Sequence, residues 1–228
     1  FKAERKERMQ KAIGTLVAFA LATACLTACV TRREFVLAPE TNGVVLDAET
    51  GLPVDGAVVR FSGVDAVPAV TTGPDGRFAL PGQTEKRTIL ALPVGGVFRD
   101  AALLQGSAPG RGDAFATAAF IQGGQPAAAI YQVIVLMFPA NAGETPLHDL
   151  TRDCLGGDAQ AHALQLANFI SGIDAARPPW WMSRDAAMAL DEHLSTVLPS
   201  SGFTACARMS EAYELFREQV KPLDVVSR

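Results

Sequence analysis

Hydrophobic and polar residues change rhythm three times along this chain. From Ala12 to Leu26 apolar residues run almost without charge. From Gly43 to Phe138 they come in short, β-branched runs broken by Gly, Pro and Asp, which predicts strands. From about Asp158 they recur every three or four residues, which predicts amphipathic helices. The strand region is specific. Gly43 to Asp47, Ala57 to Phe61, Ala69 to Thr72 and Arg77 to Leu80 are separated by polar, Gly- and Pro-containing segments. Gly73-Pro74-Asp75-Gly76 is a turn with a mechanism: Pro74 presets the first central φ and Gly76 accepts positive φ. A hairpin is expected there. Arg87 to Leu92, Ala114 to Ile121 and Ile130 to Phe138 read as further strands, with long loops at Gly95-Gly96, Gly106 to Gly112 and Gly123-Gly124. The last strand is apolar on both alternating sets and is expected to be central and covered by the helices. Thirteen residues, Val30 to Asn42, lack that rhythm and read, with Cys29, as a linker.

The helical stripe places Ala163, Leu166, Ala167, Ile170 and Ile173 on one face. After Pro178-Pro179, Ser183 is a natural cap for a second helix burying Ala187, Leu190, Leu194, Val197 and Leu198. Thr204 is the expected cap of a third, with Cys206, Met209, Tyr213, Phe216 and Val220 inward. The organisation expected is a leader over 1–28, a linker over 29–42, strands over 43–139, a linker over 140–157 and helices over 158–221. The fold class is α+β, a strand domain followed by a small bundle of about three helices that covers it.

Two resemblances sharpen this reading. "GVVLDAETGLPVDGAVVRF" followed by "TTGPDGRFALPG" resembles the carboxypeptidase regulatory-like domain. Gly43, Val45, Asp47, Thr50, Gly51, Pro53, Gly56, Ala57 and Val59 fill the first half of its pattern, and Thr72, Gly76 and Phe78 the second. The resemblance implies an antiparallel, seven-stranded, transthyretin-like β-sandwich used as an accessory module without catalytic residues of its own. At the N-terminus, Leu26-Thr27-Ala28-Cys29 resembles the lipobox of bacterial lipoproteins. It closes an apolar run of about 15 residues behind Met9-Gln10-Lys11, too short to span a bilayer and suited to a signal h-region. Met9 is a sensible start. The resemblance implies cleavage before Cys29, diacylglyceryl attachment to its thiol and anchoring by two or three acyl chains. Val30 after the cysteine favours the outer membrane, facing the periplasm. An uncleaved anchor extending to Val30 is the competing reading.

Composition then narrows the partners. The chain of 228 residues is 49% hydrophobic and 19% charged, a globular balance. Losing residues 1–28 removes five Lys and Arg but only two Glu, taking the formal net charge from −4 to about −7. Such a surface argues against nucleic acid and against a polybasic grip on lipid. The partners expected are the membrane, through lipid on Cys29, and another envelope protein. In an oxidising compartment Cys154 and Cys206 form a disulfide candidate, with two separate buried thiols as the alternative.

Chemistry is sparse. His148, His162 and His193 lack metal-ligand spacing, and no nucleophile elbow, Walker loop or dinucleotide fingerprint occurs. No catalytic residue, metal or cofactor is expected. Glu192-His193 reads as an exposed helix pair. Trp180-Trp181 is the one candidate ligand platform, for a sugar ring or an interface; the other reading makes both indoles a plug between helices and strands. The expected function is a non-catalytic envelope lipoprotein that binds or braces another protein. A binding module for carbohydrate or another small ligand is the alternative, and a hydrolase with a non-local site a third reading.

Overall fold

The computed structural model describes residues 30–90, 97–123 and 128–228. The leader, Cys29, the Gly95-Gly96 loop and Gly124 lie outside these residues. The strands are β1 Val30–Ala38, β2 Thr41–Asp47, β3 Val58–Phe61, β4 Val70–Thr71, β5 Arg77–Leu80, β6 Gln83–Leu90, β7 Phe98–Ser107, β8 Ala114–Gln122 and β9 Val133–Met137. The helices are α1 Pro146–Thr151, α2 Asp158–Ser171, α3 Arg184–Val197, α4 Ser200–Phe203 and α5 Met209–Val226. The fold is mixed α+β.

Among the described residues the nine strands form three sheets, ordered β5-β2-β9, β4-β3-β7-β8 and β1-β6. Nine strands replace the seven expected. The pairing is not wholly antiparallel either, because β2 runs parallel to β9 from Gly43 opposite Val133 to Asp47 opposite Met137. A parallel neighbour needs a long crossover, and the whole segment from β3 to β8 supplies it. The expected hairpin is also revised. The Gly73–Gly76 turn forms, with the Gly76 N–H donating to Gly73 O at 2.8 Å, but β4 pairs with β3 and β5 with β2. The turn therefore carries the chain from one sheet to the other. Gly76 has φ +69°, and a Cβ there would stand 2.5 Å from Val45 O; the turn and the close approach to β2 both require glycine.

Residues 30–42 of the expected linker instead hold strand β1 and, after Pro39 and Glu40, the start of β2. β1 pairs with β6 along its length, from Val30 opposite Leu90 to Ala38 opposite Gln83. Its Arg32, Arg33 and Glu34 are exposed, which hid the strand in a charged stretch. Gln122 ties this ribbon to the end of β8: its side-chain amide donates to Val36 O at 2.6 Å and accepts from Val36 N–H at 3.1 Å. The 140–157 connection likewise contains α1.

Alternation along two strands creates two cores. Val45, Val133, Val135 and Met137 point into one cluster, shared by the three-stranded and four-stranded sheets and filled by Val59, Phe61, Leu104 and Phe120. Leu46, Ile134, Leu136 and Phe138 point the other way, into a second cluster built with Leu166, Ile170, Leu190, Leu194 and Phe203 of the helices. β9 is thus buried on both faces, as its sequence suggests. By hydrogen bonding, however, it is an edge strand rather than a central one.

Among the helices, Ser183 caps α3 as expected, its Oγ accepting from Ala186 N–H at 3.2 Å. Thr204 does not cap the third. It closes the short α4, donating to Ser201 O at 2.6 Å, and α5 begins only at Met209. The buried face of α5 is accordingly Ala212, Phe216, Gln219 and Leu223, while Met209 is exposed. Cys154 and Cys206 form a disulfide with Cα atoms 4.8 Å apart and a sequence separation of 52. Beside it, Asp153 Oδ2 accepts from Ala207 N–H at 2.8 Å.

The bridge closes the loop holding α2, α3 and α4, and in the chain-entropy account a loop of this length contributes about 4 kcal/mol. A Cys154→Ser, Cys206→Ser double variant should therefore melt roughly 8–16 °C below the parent. Calorimetry with and without reductant checks this. An unchanged midpoint would mean that the bridge adds nothing to the helical layer.

Candidate functional site

The buried ionisable groups are placed by the architecture and occupied by it. His162, on α2, stands where β8 and β9 lie side by side without ladder bonds between them. Phe115 N–H of β8 donates to its Nδ1 at 3.3 Å, and its Nε2 lies 2.8 Å from Leu136 O of β9. With Nδ1 accepting, Nε2 carries the proton and donates, so the ring is the neutral Nε2–H tautomer. His193, on α3, is also buried rather than exposed as expected. Its Nδ1 lies 3.0 Å from Thr117 Oγ1, its Nε2 is buried without a partner, and its ring centroid is 6.2 Å from that of His162. Its neighbour Glu192 turns outward to an ion pair with Arg99, so the two halves of the supposed exposed pair part company.

Burial, opposed by the Leu136 hydrogen bond, holds His162 down to about 4 from an ordinary 6.5. Burial and the neighbouring His162 hold His193 down to about 3. Between pH 6.5 and 4 the unfolded chain binds protons that the folded one refuses, so stability is full above 6.5 and falls as pH drops through this window. His162 alone withdraws about 3 kcal/mol by pH 4. Urea midpoints from pH 7 to pH 4 should fall steeply. A His162→Gln variant, which has no titrating ring there, should show a shallower slope. Equal slopes in both proteins would refute this account.

Asp47 organises the other end of β2. Its Oδ1 accepts from the N–H and the Oγ1 of Thr50, both at 2.7 Å, and its second oxygen pairs with Arg111. Burial alone would raise its pKa. The Thr50 hydrogen bonds and the Arg111 guanidinium outweigh that and hold the carboxyl below its usual range. Arg111-Gly112-Asp113 is likewise engaged within the fold, since Asp113 accepts from Gln105 Nε2 at 2.8 Å. The turn that Asp47 fixes ends in Gly51 at φ +68°, where a Cβ would lie 3.3 Å from the Trp181 ring and 3.5 Å from Trp180 Nε1. The strand motif thereby seats the tryptophan pair.

That pair does not act as one unit. Trp181 is buried and stacks on Phe169, with centroids 6.4 Å apart and planes inclined by 17°. Trp180 is 75% exposed. One cleft of about 360 Å³ opens between Trp180 and the Glu49–Gly51 turn, with Asp174 and Arg177 on its rim. A second, of about 240 Å³, opens between Trp180 and Arg77, Gln132 and Asp185. Arg77 and Gln132 also line a third, of about 610 Å³, that reaches Asn42 and Tyr131. Sequence reasoning found the two indoles but not these polar neighbours, which come from six separate segments. The Asp75-Gly76-Arg77 turn was visible, but only as a turn.

A further cleft of about 370 Å³ separates α3 from α5, where burial and then the nearby Asp224 raise the Asp191 carboxyl. Among the described residues no group of three His, Cys, Asp or Glu side chains is arranged to hold a metal ion. Within them no helix is long and apolar enough to cross a membrane. Comparison of the chain with protein-family models, curated proteins and solved structures returns no match.

Proposed function

We propose that this chain is a lipid-anchored envelope protein whose body is a non-catalytic interaction module. In this reading the leader ends at Ala28, Cys29 carries the lipid, and the body stands in the periplasm on the outer membrane. The strand body is a transthyretin-like β-sandwich of the carboxypeptidase regulatory-like type, and its partner is another envelope protein. The observation that carries the reading is the Cys154–Cys206 bond, which belongs in an oxidising compartment. It agrees with a cysteine-terminated leader that sends the chain there. In this reading the lipidated cysteine directly precedes β1, which begins at Val30 opposite Leu90 at the end of β6. The buried ionisable groups favour a binding role over a catalytic one, because Asp47 and His162 are committed to holding strands and turns.

The test is the intact mass of the protein purified from bacterial membranes without reductant. The expected mass is that of a chain beginning at Cys29, carrying lipid and lacking two hydrogens. A Cys29→Ala variant should leave the acylated membrane fraction. A full-length unlipidated mass would make the leader an uncleaved anchor and overturn the lipoprotein reading. Solubilised native complexes should contain a stoichiometric envelope partner, and its consistent absence would remove the bracing role.

A further inference from the structure

The geometry points to a binding groove for a neutral, β-linked saccharide chain, centred on the exposed indole of Trp180. It does not depend on the lipid anchor. A tryptophan three-quarters exposed leaves a large apolar face in water, and a lone exposed indole among polar groups is a natural stacking surface. This one is also held in place. Trp181 beside it is locked against Phe169, Gly51 approaches both rings, and the Ser183 cap fixes the start of α3 directly after it. The entropy cost of ordering the platform on binding is thereby largely met before a ligand arrives.

The clefts define the ligand. Those on either side of Trp180 share its ring as a wall, and the second and third share Arg77 and Gln132. Together they make a row of open sites passing the indole, suited to an extended chain rather than a compact molecule. The groups along it are hydroxyl-binding: the amides of Asn42 and Gln132 and the carboxylates of Asp75, Asp174 and Asp185. Counting Glu40 and Glu49, carboxylates outnumber guanidiniums five to two. Both guanidiniums already face aspartates, Arg77 with Asp75 at 3.6 Å and Arg177 with Asp174 at 3.0 Å. An anionic polymer would meet net repulsion. A peptide anchored by apolar side chains would need deep apolar pockets, whereas these are shallow and rimmed with polar groups. A β-linked chain of equatorial sugars is flat, lays C–H faces on an indole and offers hydroxyls to both sides.

The experiment titrates the full chain, in detergent, with chitohexaose and cellohexaose, following tryptophan fluorescence and calorimetric heat. At least one hexasaccharide should perturb the exposed tryptophan, leaving a residual emission from buried Trp181. The corresponding disaccharide should bind at least 10-fold more weakly. Trp180→Ala should lose at least 10-fold in affinity by calorimetry with an unchanged far-ultraviolet circular dichroism spectrum and melting midpoint. Trp180→Phe should keep part of the binding, and Gln132→Ala should weaken it with the platform intact. Polygalacturonate should not compete. Three results would overturn the assignment: neither hexasaccharide binds, binding survives Trp180→Ala unchanged, or a proline-rich peptide is the only probe that engages Trp180. None of them would alter the intact mass from membranes, so failure here is distinct from failure of the lipoprotein reading.

Discussion

Everything in the body depends on closing the gap between β8 and β9. These strands lie side by side, belong to different sheets and share no ladder bonds. An unpaired edge buried under helices costs more than one exposed to water, because nothing else satisfies its amides and carbonyls. His162 resolves the problem with one ring, taking an N–H from Phe115 and giving one to Leu136 O. A neutral imidazole carries a donor and an acceptor on opposite sides of one rigid ring. The helical layer is thus hydrogen-bonded into the seam as well as packed against it. The apolar contacts of Leu166, Ile170, Leu190 and Leu194 build outward from a position that His162 makes definite.

A similar economy operates at the end of β2. Asp47 is a strand residue, a turn cap through Thr50 and an ion-pair partner of Arg111. The turn it fixes presents a glycine to the tryptophan loop, so one carboxylate links the first strand core to the face carrying Trp180. Thr72 adds a second tie, accepting from Ala57 N–H at 2.9 Å and donating to Val54 O at 2.7 Å. The residues spelling the strand motif therefore hold turns and crossings.

What could be read from the sequence follows the range of the interactions involved. The Gly73–Gly76 turn, the Ser183 cap, the apolar stripes of α2 and α3 and the doubly buried β9 rest on neighbours within a few residues, and these are legible. β1 and β7 were missed because charged or polar residues on exposed positions mask a strand whose partners are distant; Arg32, Arg33 and Glu34 face water while the backbone pairs with β6. Thr204 was misassigned because Pro199 starts a separate short helix before α5, shifting the buried face. The burial of His193 was hidden for another reason. Its position fits the inward stripe of α3 beside Leu190 and Leu194, but residue type suggested a polar surface. Of the candidate site, composition reveals the two indoles. Their opposite fates follow from Gly51 and Phe169, which lie over a hundred and about a dozen residues away.

The ribbon of β1 and β6 has a mechanical consequence. A strand is already near full extension, about 3.3 Å per residue, so β1 contains almost no slack. Tension applied at Val30 would travel along it with little lengthening and enter β2 through Pro39 and Glu40. β2 is the middle strand of its sheet, bonded to β5 on one side and β9 on the other. The load would thus fall across two rows of bonds together, and the domain would behave at that end as a stiff tie rather than a spring.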